Sequence, residues 1–500
     1  MGLDLQGCHG YNKSDGTERL IVVWAKAPMI YNPTTEGWNR ATITLTANTK
    51  AEFQTFLDYV FMVNGTDPNY TFDGTTWSTT VSLGDAPIGT YITEYNIRLY
   101  IGNVKIAGVA YPSRVWFSDL PKNNLVTWGL ETGSDLVQTA SSAVITSAGS
   151  LFQTRNIKVG DPMMITSGDN AGEYVVQSID SETQITLTET LDNAATGSSF
   201  WVGGNFLDVV TDDGDEMKGF GLNSNELLLY KRNSLHRFSS RGEELRRVKA
   251  LPGTTSRRSI VNIGGETYHY HPTGIWQVTL PTGKLISKAI QDVIDGVTDA
   301  NQTEVVGWAE DETILNMYLG DVTLRDGTTI TNCVASLDTT TTTWSLRSYP
   351  FVIKAAEVWL EDNVPNVYVG DDASHVYKLD TGTSFAGDPI PFGLETKPNF
   401  PVDDDTLVTF NKLRLDVENG FDLQVLYKLF YVPTNDDRHW INDKDWKPME
   451  GSQRGQKSEW YFPANHNRAC GVAFKFIESS VRESFLIEKY KIYFSGAADY

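Results

Sequence analysis

The chain has 500 residues, of which 40% are hydrophobic and 11% aromatic. This length is too great for one small core and predicts two to four domains, each able to bury a core of its own. Because 63 acidic residues outweigh 41 lysines and arginines, the net charge is -22, and this charge excludes tight binding to DNA or to an anionic bilayer outside a local basic patch.

The N-terminal region and the cysteines indicate the compartment in which the protein folds. Residues 1–6 contain no basic segment leading into an apolar one, and no window approaches 18 apolar residues, so we expect no signal peptide and no stable membrane binding. Cys8, Cys333 and Cys470 are far apart and odd in number, which argues against a disulfide framework or a zinc motif. We predict a protein made in a reducing cytoplasm.

A weak repeat of short strands and tight turns begins near residue 20. Residues 20–38 form its first unit. In the second unit, a strand over residues 56–63 runs into Asn64-Gly65, and Asp73-Gly74 follows the next short strand. Both dipeptides favour two-residue hairpin turns. The spacing therefore predicts consecutive antiparallel strands.

The third unit leads into an interruption of the repeat. It has a strand over residues 95–101 and a turn at Gly102-Asn103. Residues 138–204 then contain five short strands separated by turns, which predicts a small β-barrel inserted into a loop of the repeat. Such insertions cost little because the entropy of loop closure rises slowly with length. We expect this segment to fold autonomously.

The repeat resumes with its clearest unit, residues 217–238, and another unit follows over residues 260–278, about 40 residues later. Six or seven units can be drawn up to residue 380. Units of this length with an aromatic residue near the last strand predict the blades of a β-propeller. Between two units, residues 285–294 have apolar side chains at every fourth position, which predicts a short helix.

The C-terminal region has longer strands with strict alternation. Residues 410–418 and 485–494 alternate apolar and polar side chains, a pattern typical of half-buried strands in a β-sandwich. The sequence thus predicts an all-β chain: propeller blades over residues 1–137 and 205–385, an inserted barrel over residues 138–204, and a C-terminal sandwich over residues 386–500.

Three kinds of segment have side chains that could bind a metal ion or an anion. His269 and His271 share one face of a strand and could bind a metal, but no third ligand lies nearby in sequence, so we favour ordinary strand packing. Residues 212–216 and Asp371-Asp372 could hold calcium, but they lack EF-hand spacing and are interpreted as solvated acidic turns. The strongest basic patch, residues 241–249 with Arg257 and Arg258, is interpreted as a solvated loop edge.

No phosphate-binding loop, dinucleotide-binding, zinc-protease or nucleophile-elbow motif is present. The sequence therefore predicts no enzyme, no catalytic or metal-binding residue and no cofactor. Two alternatives remain open. Paired carboxylates and stacking aromatic residues would suit a carbohydrate-binding adhesin or a glycoside-hydrolase-type propeller, and a stable monomer would suit a protein-interaction scaffold.

The chain resembles the propeller proteins of short-tailed phage tails, the stabilisation or nozzle family that continues the channel below portal and adaptor. The resemblance rests on residues 225–238, on residues 160–187 as an insertion common in phage structural proteins, and on the order of propeller and sandwich. It implies a virion protein made in the host cytoplasm that assembles into a ring of six copies and contacts portal or adaptor and tail fibre or spike proteins. DNA would be retained and ejected through an acidic lumen without sequence-specific binding.

Overall fold

The computed structural model describes residues 5–83, 85–239, 244–249 and 251–379, and from the rest of the chain residues 381, 384–385, 388–389, 392–402, 406–418, 423–431, 441–442, 445–452, 457–478 and 486–498. The chain divides into two compact units, residues 1–379 and 380–500. Nearly all regular structure is antiparallel β-sheet, which confirms the all-β prediction.

Seven antiparallel sheets, numbered here in chain order, make up most of the first unit. Sheets 1 to 6 have four strands each and sheet 7 has three. Their strands are Leu5–Asn12, Glu18–Trp24, Ala27–Asn32 and Gly37–Arg40; Glu52–Phe56, Tyr59–Val63, Tyr70–Phe72 and Trp77–Ser78; Ile88–Tyr95, Arg98–Ile106, Val109–Phe117 and Phe206–Asp208; Met217–Asn223, Glu226–Lys231, Leu235–Ser239 and Glu244–Arg247; Val261–Ile263, Glu266–His271, Gly274–Thr279 and Thr282–Leu285; Val306–Ala309, Ile314–Thr323, Thr329–Asp338 and Thr343–Ser348; Ala355–Glu361, Val364–Gly370 and Val376–Lys378.

The first strands of these sheets contact one another in a closed cycle. Each first strand contacts the first strand of the following sheet, and that of sheet 7 contacts that of sheet 1. Apolar clusters fill the spaces between sheets; for example, Tyr270 and Ile275 of sheet 5 pack with Met317 of sheet 6. No single sheet of three or four strands could bury both of its faces alone, so each depends on its neighbours.

Helices are short within the described residues. Three-residue or four-residue 3-10 turns and one α-helix occur at Thr211–Asp213, Arg257–Ser259, Ser287–Ile290, Asn301–Thr303 and Gln291–Asp295. The third of these turns and the α-helix together cover residues 287–295, where the sequence predicted a helix over residues 285–294; Leu285 instead ends the last strand of sheet 5.

Two strands predicted from the sequence are in fact hairpins. Residues 56–63 are divided by a turn at Leu57-Asp58, and residues 95–101 by a turn at Asn96-Ile97. All four turn residues have positive φ, the left-handed conformation that two-residue hairpin turns require. The prediction missed them because no glycine marks either turn. Gly102-Asn103, predicted as a turn, lies instead inside a strand with an irregular register.

A closed barrel of six strands interrupts sheet 3 between its third and fourth strands, which confirms the predicted barrel. Its strands are Glu131–Gln138, Ser142–Thr146, Pro162–Ile165, Gly172–Ser181, Gln184–Leu191 and Ala195–Val202. The structure therefore begins the barrel at Glu131, where the sequence placed its start at residue 138. The barrel has its own apolar core, in which Phe152, Ile185 and Phe200 are fully buried.

Arg114 and Trp201 join the barrel to sheet 3. The Arg114 guanidinium forms two 2.8 Å hydrogen bonds to the Asp208 carboxylate and lies over the rings of Phe206 and Trp201. The Trp201 indole donates a 3.1 Å hydrogen bond to the hydroxyl of Tyr111 in sheet 3. The last barrel strand thus contributes a tryptophan to the core of its host sheet.

Replacing residues 131–202 by a short Gly-Ser linker is expected to leave the seven sheets folded but less stable. The two ends of the barrel adjoin, since a Cβ at Gly203 would lie 2.0 Å from the Gly129 carbonyl oxygen, and the loss of Trp201 removes about 3 kcal/mol of packing. Circular dichroism and urea unfolding of the deletion variant, beside Trp201→Ala in the full chain, measure this. Insoluble deletion protein beside soluble Trp201→Ala protein would contradict autonomy of the barrel.

The second unit contains two five-stranded antiparallel sheets and a short hairpin. The strands are Phe392–Glu395, Gly471–Glu478, Gln424–Tyr431, Ile441–Asn442 and Lys447–Pro448; Glu450–Ser452, Lys457–Tyr461, Leu407–Glu418, Arg468–Ala469 and Leu486–Ala498; Ser384–Phe385 and Asp388–Pro389. The two predicted alternating strands pair with each other, Leu407–Glu418 against Leu486–Ala498. Phe410 and Leu413 from one sheet and Tyr427 and Phe474 from the other share a buried core.

Candidate functional site

A small cavity lies beside the first strands of four of the seven sheets, in a region called the centre below. Its volume is 210 Å³, and sheets 1, 2, 6 and 7 and the turn before sheet 5 line it. The lining includes an unusual number of charged or titratable side chains for the middle of a fold, namely His9, Glu52, Arg257, Arg258 and Glu357. This cavity is therefore a candidate site.

Arg258 joins three sheets across this centre. Its guanidinium donates one hydrogen bond to the carbonyl of Lys354, directly before sheet 7, and another to the carbonyl of Gln6 in sheet 1. Burial lowers the pKa of the Arg258 guanidinium, while the charges of Glu52 and Glu304 oppose that shift. An arginine keeps its charge even so, and this charge stabilises the backbone carbonyls that it binds.

Two ion pairs also cross the centre between sheets that are not neighbours. The Arg257 Nε atom lies 3.3 Å from a carboxylate oxygen of Glu52 in sheet 2. The Lys50 ammonium, just before sheet 2, lies 2.8 Å from the Glu304 carboxylate, just before sheet 6. The Lys50 pair is partly exposed to solvent and adds little stability by itself. The Arg257 pair is more buried and links sheets 2 and 5 directly.

His9 links sheets 1, 2 and 7. Its Nδ1 atom lies 3.3 Å from the Glu357 carboxylate, its Nε2 atom lies 2.8 Å from the Thr55 hydroxyl, and its ring stacks on Phe53. The same Glu357 carboxylate accepts a 3.2 Å hydrogen bond from the amide of Gly10. The carboxylates of Glu52 and Glu357 both face the cavity, and each is held by a cationic or polar partner from another sheet.

The predicted basic patch is divided by the structure. Arg257 and Arg258 lie at the centre, whereas Arg246 and Arg247 lie on the outermost strand of sheet 4 and Arg241 is outside the described residues. Arg258 is consequently not part of a solvated loop edge. The sequence did contain one signal that was missed: a cation precedes the first strand of several sheets, as in Lys50, Arg258 and Lys354.

The acidic turn at residues 212–216 is occupied by a lysine. The ammonium of Lys231, whose side chain is 0% exposed, contacts the Asp213 carboxylate and donates hydrogen bonds to the carbonyls of Val209 and Val210 at 3.0 and 2.7 Å. Burial raises the pKa of Asp213, but the hydrogen bond and charge of Lys231 leave it below its ordinary value. The Asp213 carboxylate of this turn is therefore paired with an ammonium of the protein itself.

The second acidic turn is satisfied by its own loop. The buried Asp371 carboxylate accepts hydrogen bonds from the amides of Ala373 and His375, from the His375 ring and from the Tyr377 hydroxyl. These four donors use the acceptor capacity of the carboxylate. Asp371 therefore organises the turn between the last two strands of sheet 7.

The two histidines of sheet 5 have separate surroundings. His269 is fully buried, with Nδ1 3.3 Å from the Tyr230 hydroxyl, whereas His271 contacts the Thr273 hydroxyl at 2.8 Å. Across the described parts of the chain, no three His, Cys, Asp or Glu side chains are grouped as metal ligands would be. The side chains of His269 and His271 therefore have different hydrogen-bond partners.

Acid is expected to destabilise the first unit through His269. Burial, with a smaller contribution from His271, lowers the pKa of His269 from its ordinary value of 6.5 to about 3. Below pH 6.5 the unfolded chain binds a proton at His269, whereas the native state binds this proton only near pH 3. The free energy of unfolding therefore decreases as the pH falls through this window. Between pH 7.5 and 5.0, wild type should lose about 2 kcal/mol more than His269→Gln in urea unfolding.

The matched control is Asn225→Gln, at an exposed position of the first unit that carries no titratable side chain. This variant should keep the pH dependence of wild type. Equal slopes for wild type and His269→Gln would show that His269 is accessible to protons in the native state.

No helix among the described residues is long and apolar enough to cross a membrane. No family model matches the chain, and no curated protein matches it. Among solved structures the chain is similar to phage phi92 endosialidase, with a TM-score of 0.25 and 9% sequence identity over 94% of this chain and 73% of that chain. A similarity of this size carries no argument about the site.

Proposed function

We propose that the seven sheets form a seven-bladed β-propeller and that the chain is a structural subunit of a phage tail. The closed cycle of contacts between first strands supports the propeller, because each blade of such a ring buries its faces against two neighbours. The resemblance to tail nozzle proteins suggests the place of the ring in the virion.

The observation that carries a structural role is the set of contacts across the centre. Arg257, Arg258 and His9 connect sheets that are distant in sequence, and their partners are carboxylates or backbone carbonyls. A site for chemistry would keep such groups free to meet a substrate. Here each of them is bonded to a group from another sheet and links the sheets within one chain, which suits a structural subunit.

In this proposal DNA passes between copies and not through one chain. The central cavity, at 210 Å³, is smaller than ordinary ligand pockets, which hold about 300–1,000 Å³. Six copies arranged around a shared axis would form the lumen. Because each copy has a net charge of -22, this lumen would repel DNA and let it slide. Portal or adaptor proteins and fibre or spike proteins would bind the two ends of the ring.

Assembly of the purified chain is expected to increase with salt. Subunits of like charge repel at low ionic strength, and salt screens this repulsion to a distance of about 8 Å near physiological conditions. Sedimentation across a salt series, with negative-stain images of each sample, measures the result. A ring that is complete at very low salt and dissociates as salt rises would show that attractive ion pairs dominate the interface.

The same preparations test the function itself. Rings or tubes in the images would support the tail role, and stable monomers at every salt concentration would contradict it. The proposal also includes no hydrolytic activity. Reproducible polysaccharide turnover that Glu357→Gln abolishes would overturn it and favour the glycoside-hydrolase alternative.

A further inference from the structure

A second, larger cavity lies away from the centre, between sheets 5 and 6. This groove has a volume of 540 Å³, within the range of about 300–1,000 Å³ that is usual for small-molecule sites. Its walls come from the last three strands of sheet 5, the segment that follows them, and the last two strands of sheet 6 with the turn between them.

One wall of the groove is apolar and fixed in position. Trp344, on the last strand of sheet 6, packs against the buried cluster between the two sheets, and its indole donates a 3.2 Å hydrogen bond to the carbonyl of Ile286. Leu285 and Leu337 add aliphatic surface to the same wall. The Trp344 ring is therefore held where a flat apolar face could stack on it.

The other lining groups are polar and positive. Lys284 and Lys288 are exposed, and neither forms an ion pair with any residue that the structure describes. The Thr342 hydroxyl lines the groove. The Gln277 amide donates a 3.3 Å hydrogen bond to the Tyr268 hydroxyl, and the Thr339 hydroxyl donates a 2.8 Å hydrogen bond to the Thr313 carbonyl, so the oxygens of Gln277 and Thr339 can still accept. Among the described residues, no acidic side chain lines the groove. In a chain with a net charge of -22, this groove is a local site of positive potential.

We propose that this groove binds an acidic saccharide. The apolar face of a pyranose ring would stack on Trp344, its carboxylate would lie between Lys284 and Lys288, and its hydroxyls would hydrogen-bond to the amide and hydroxyl side chains. A bare phosphate would leave the apolar wall unused, and the chain of a fatty acid would not use the acceptor oxygens of Gln277 and Thr339. The site does not depend on ring assembly, because one chain supplies every lining residue.

Another groove between two sheets shows what distinguishes this one. The space between sheets 7 and 1 is also aromatic, lined by Tyr31, Trp38 and Tyr368. Its two charged residues pair with each other, Lys378 with Glu361 at 2.7 Å. Both grooves therefore have an aromatic lining. Of the two, only the groove beside Trp344 has two lysines without acidic partners among the described residues.

The test compares D-glucuronate with D-glucose, which have the same ring and differ in the carboxylate. Saturation-transfer NMR and titration should show binding of glucuronate to wild type that is about tenfold tighter than that of glucose, which corresponds to about 1.4 kcal/mol. The double variant Lys284→Glu/Lys288→Glu should lose this preference. Added salt should weaken glucuronate binding, because the lysines are exposed.

The matched control is Lys105→Glu/Lys122→Glu. It changes the net charge equally, and both lysines are exposed and lie outside the groove. Melting curves of both double variants establish that they fold. Glucuronate binding that survives Lys284→Glu/Lys288→Glu, or that the control variant loses equally, would overturn the proposal. Equal binding of glucose and glucuronate, or binding of octanoate in place of glucuronate, would also overturn it.

Discussion

Replacing Lys231 by methionine is expected to lower the free energy of unfolding of the first unit by about 1–3 kcal/mol, because two backbone carbonyls lose a buried donor and a carboxylate that is 32% exposed loses its partner. The Lys231 side chain is 0% exposed. Its ammonium is a shared donor to the carbonyls of Val209 and Val210 and to the Asp213 carboxylate. Methionine fills a similar volume and donates no hydrogen bond. Urea unfolding followed by far-ultraviolet circular dichroism measures the loss.

Lys218→Met is the matched control for this variant. Lys218 also contacts an acidic residue, Glu216, but its side chain is 25% exposed, and partly exposed pairs contribute about 0–1 kcal/mol. A loss of less than about 1 kcal/mol for Lys231→Met would mean that water satisfies the carbonyls of Val209 and Val210 once the ammonium is removed.

Trp359→Ala is expected to lower the free energy of unfolding by about 3–5 kcal/mol and to weaken the contact between sheets 7 and 1 that closes the cycle of sheets. Trp359, in sheet 7, is 1% exposed and packs with Leu5 and Leu20 of sheet 1. Its indole donates a 2.9 Å hydrogen bond to Asn12 in sheet 1. Sheets 1 and 7 come from opposite ends of the first unit, so this contact holds the two ends together.

Gly10→Ala tests the same contact from the other side. An added Cβ at Gly10 would lie 2.5 Å from the Trp359 ring, and overpacking of this kind costs about 1–3 kcal/mol. The control is Trp38→Ala, since Trp38 is 37% exposed on the outermost strand of sheet 1. If Trp359→Ala and Trp38→Ala lower the free energy of chemical unfolding equally, the contact between sheets 7 and 1 has no special role.

Local sequence patterns predicted much of the architecture. The alternation in residues 410–418 and 485–494 marked two strands that pair, and the spacing of turns in residues 138–204 marked a barrel. Both signals are local, because side chains of a strand alternate between its faces with a period of two. The position of a turn was not predicted where residues other than glycine adopt the left-handed conformation, as at Asn96-Ile97.

The sequence by itself determined the all-β class, the strand-rich repeat, the inserted barrel and the acidic character of the chain, since composition and period are properties of neighbouring residues. Only the tertiary structure decided which charges meet. Arg258 and Gln6 are 252 positions apart, and the Lys231 ammonium reaches a turn 18 positions earlier. Such contacts depend on the closing of a cycle of sheets, and no local pattern specifies the distance between two side chains that folding brings together.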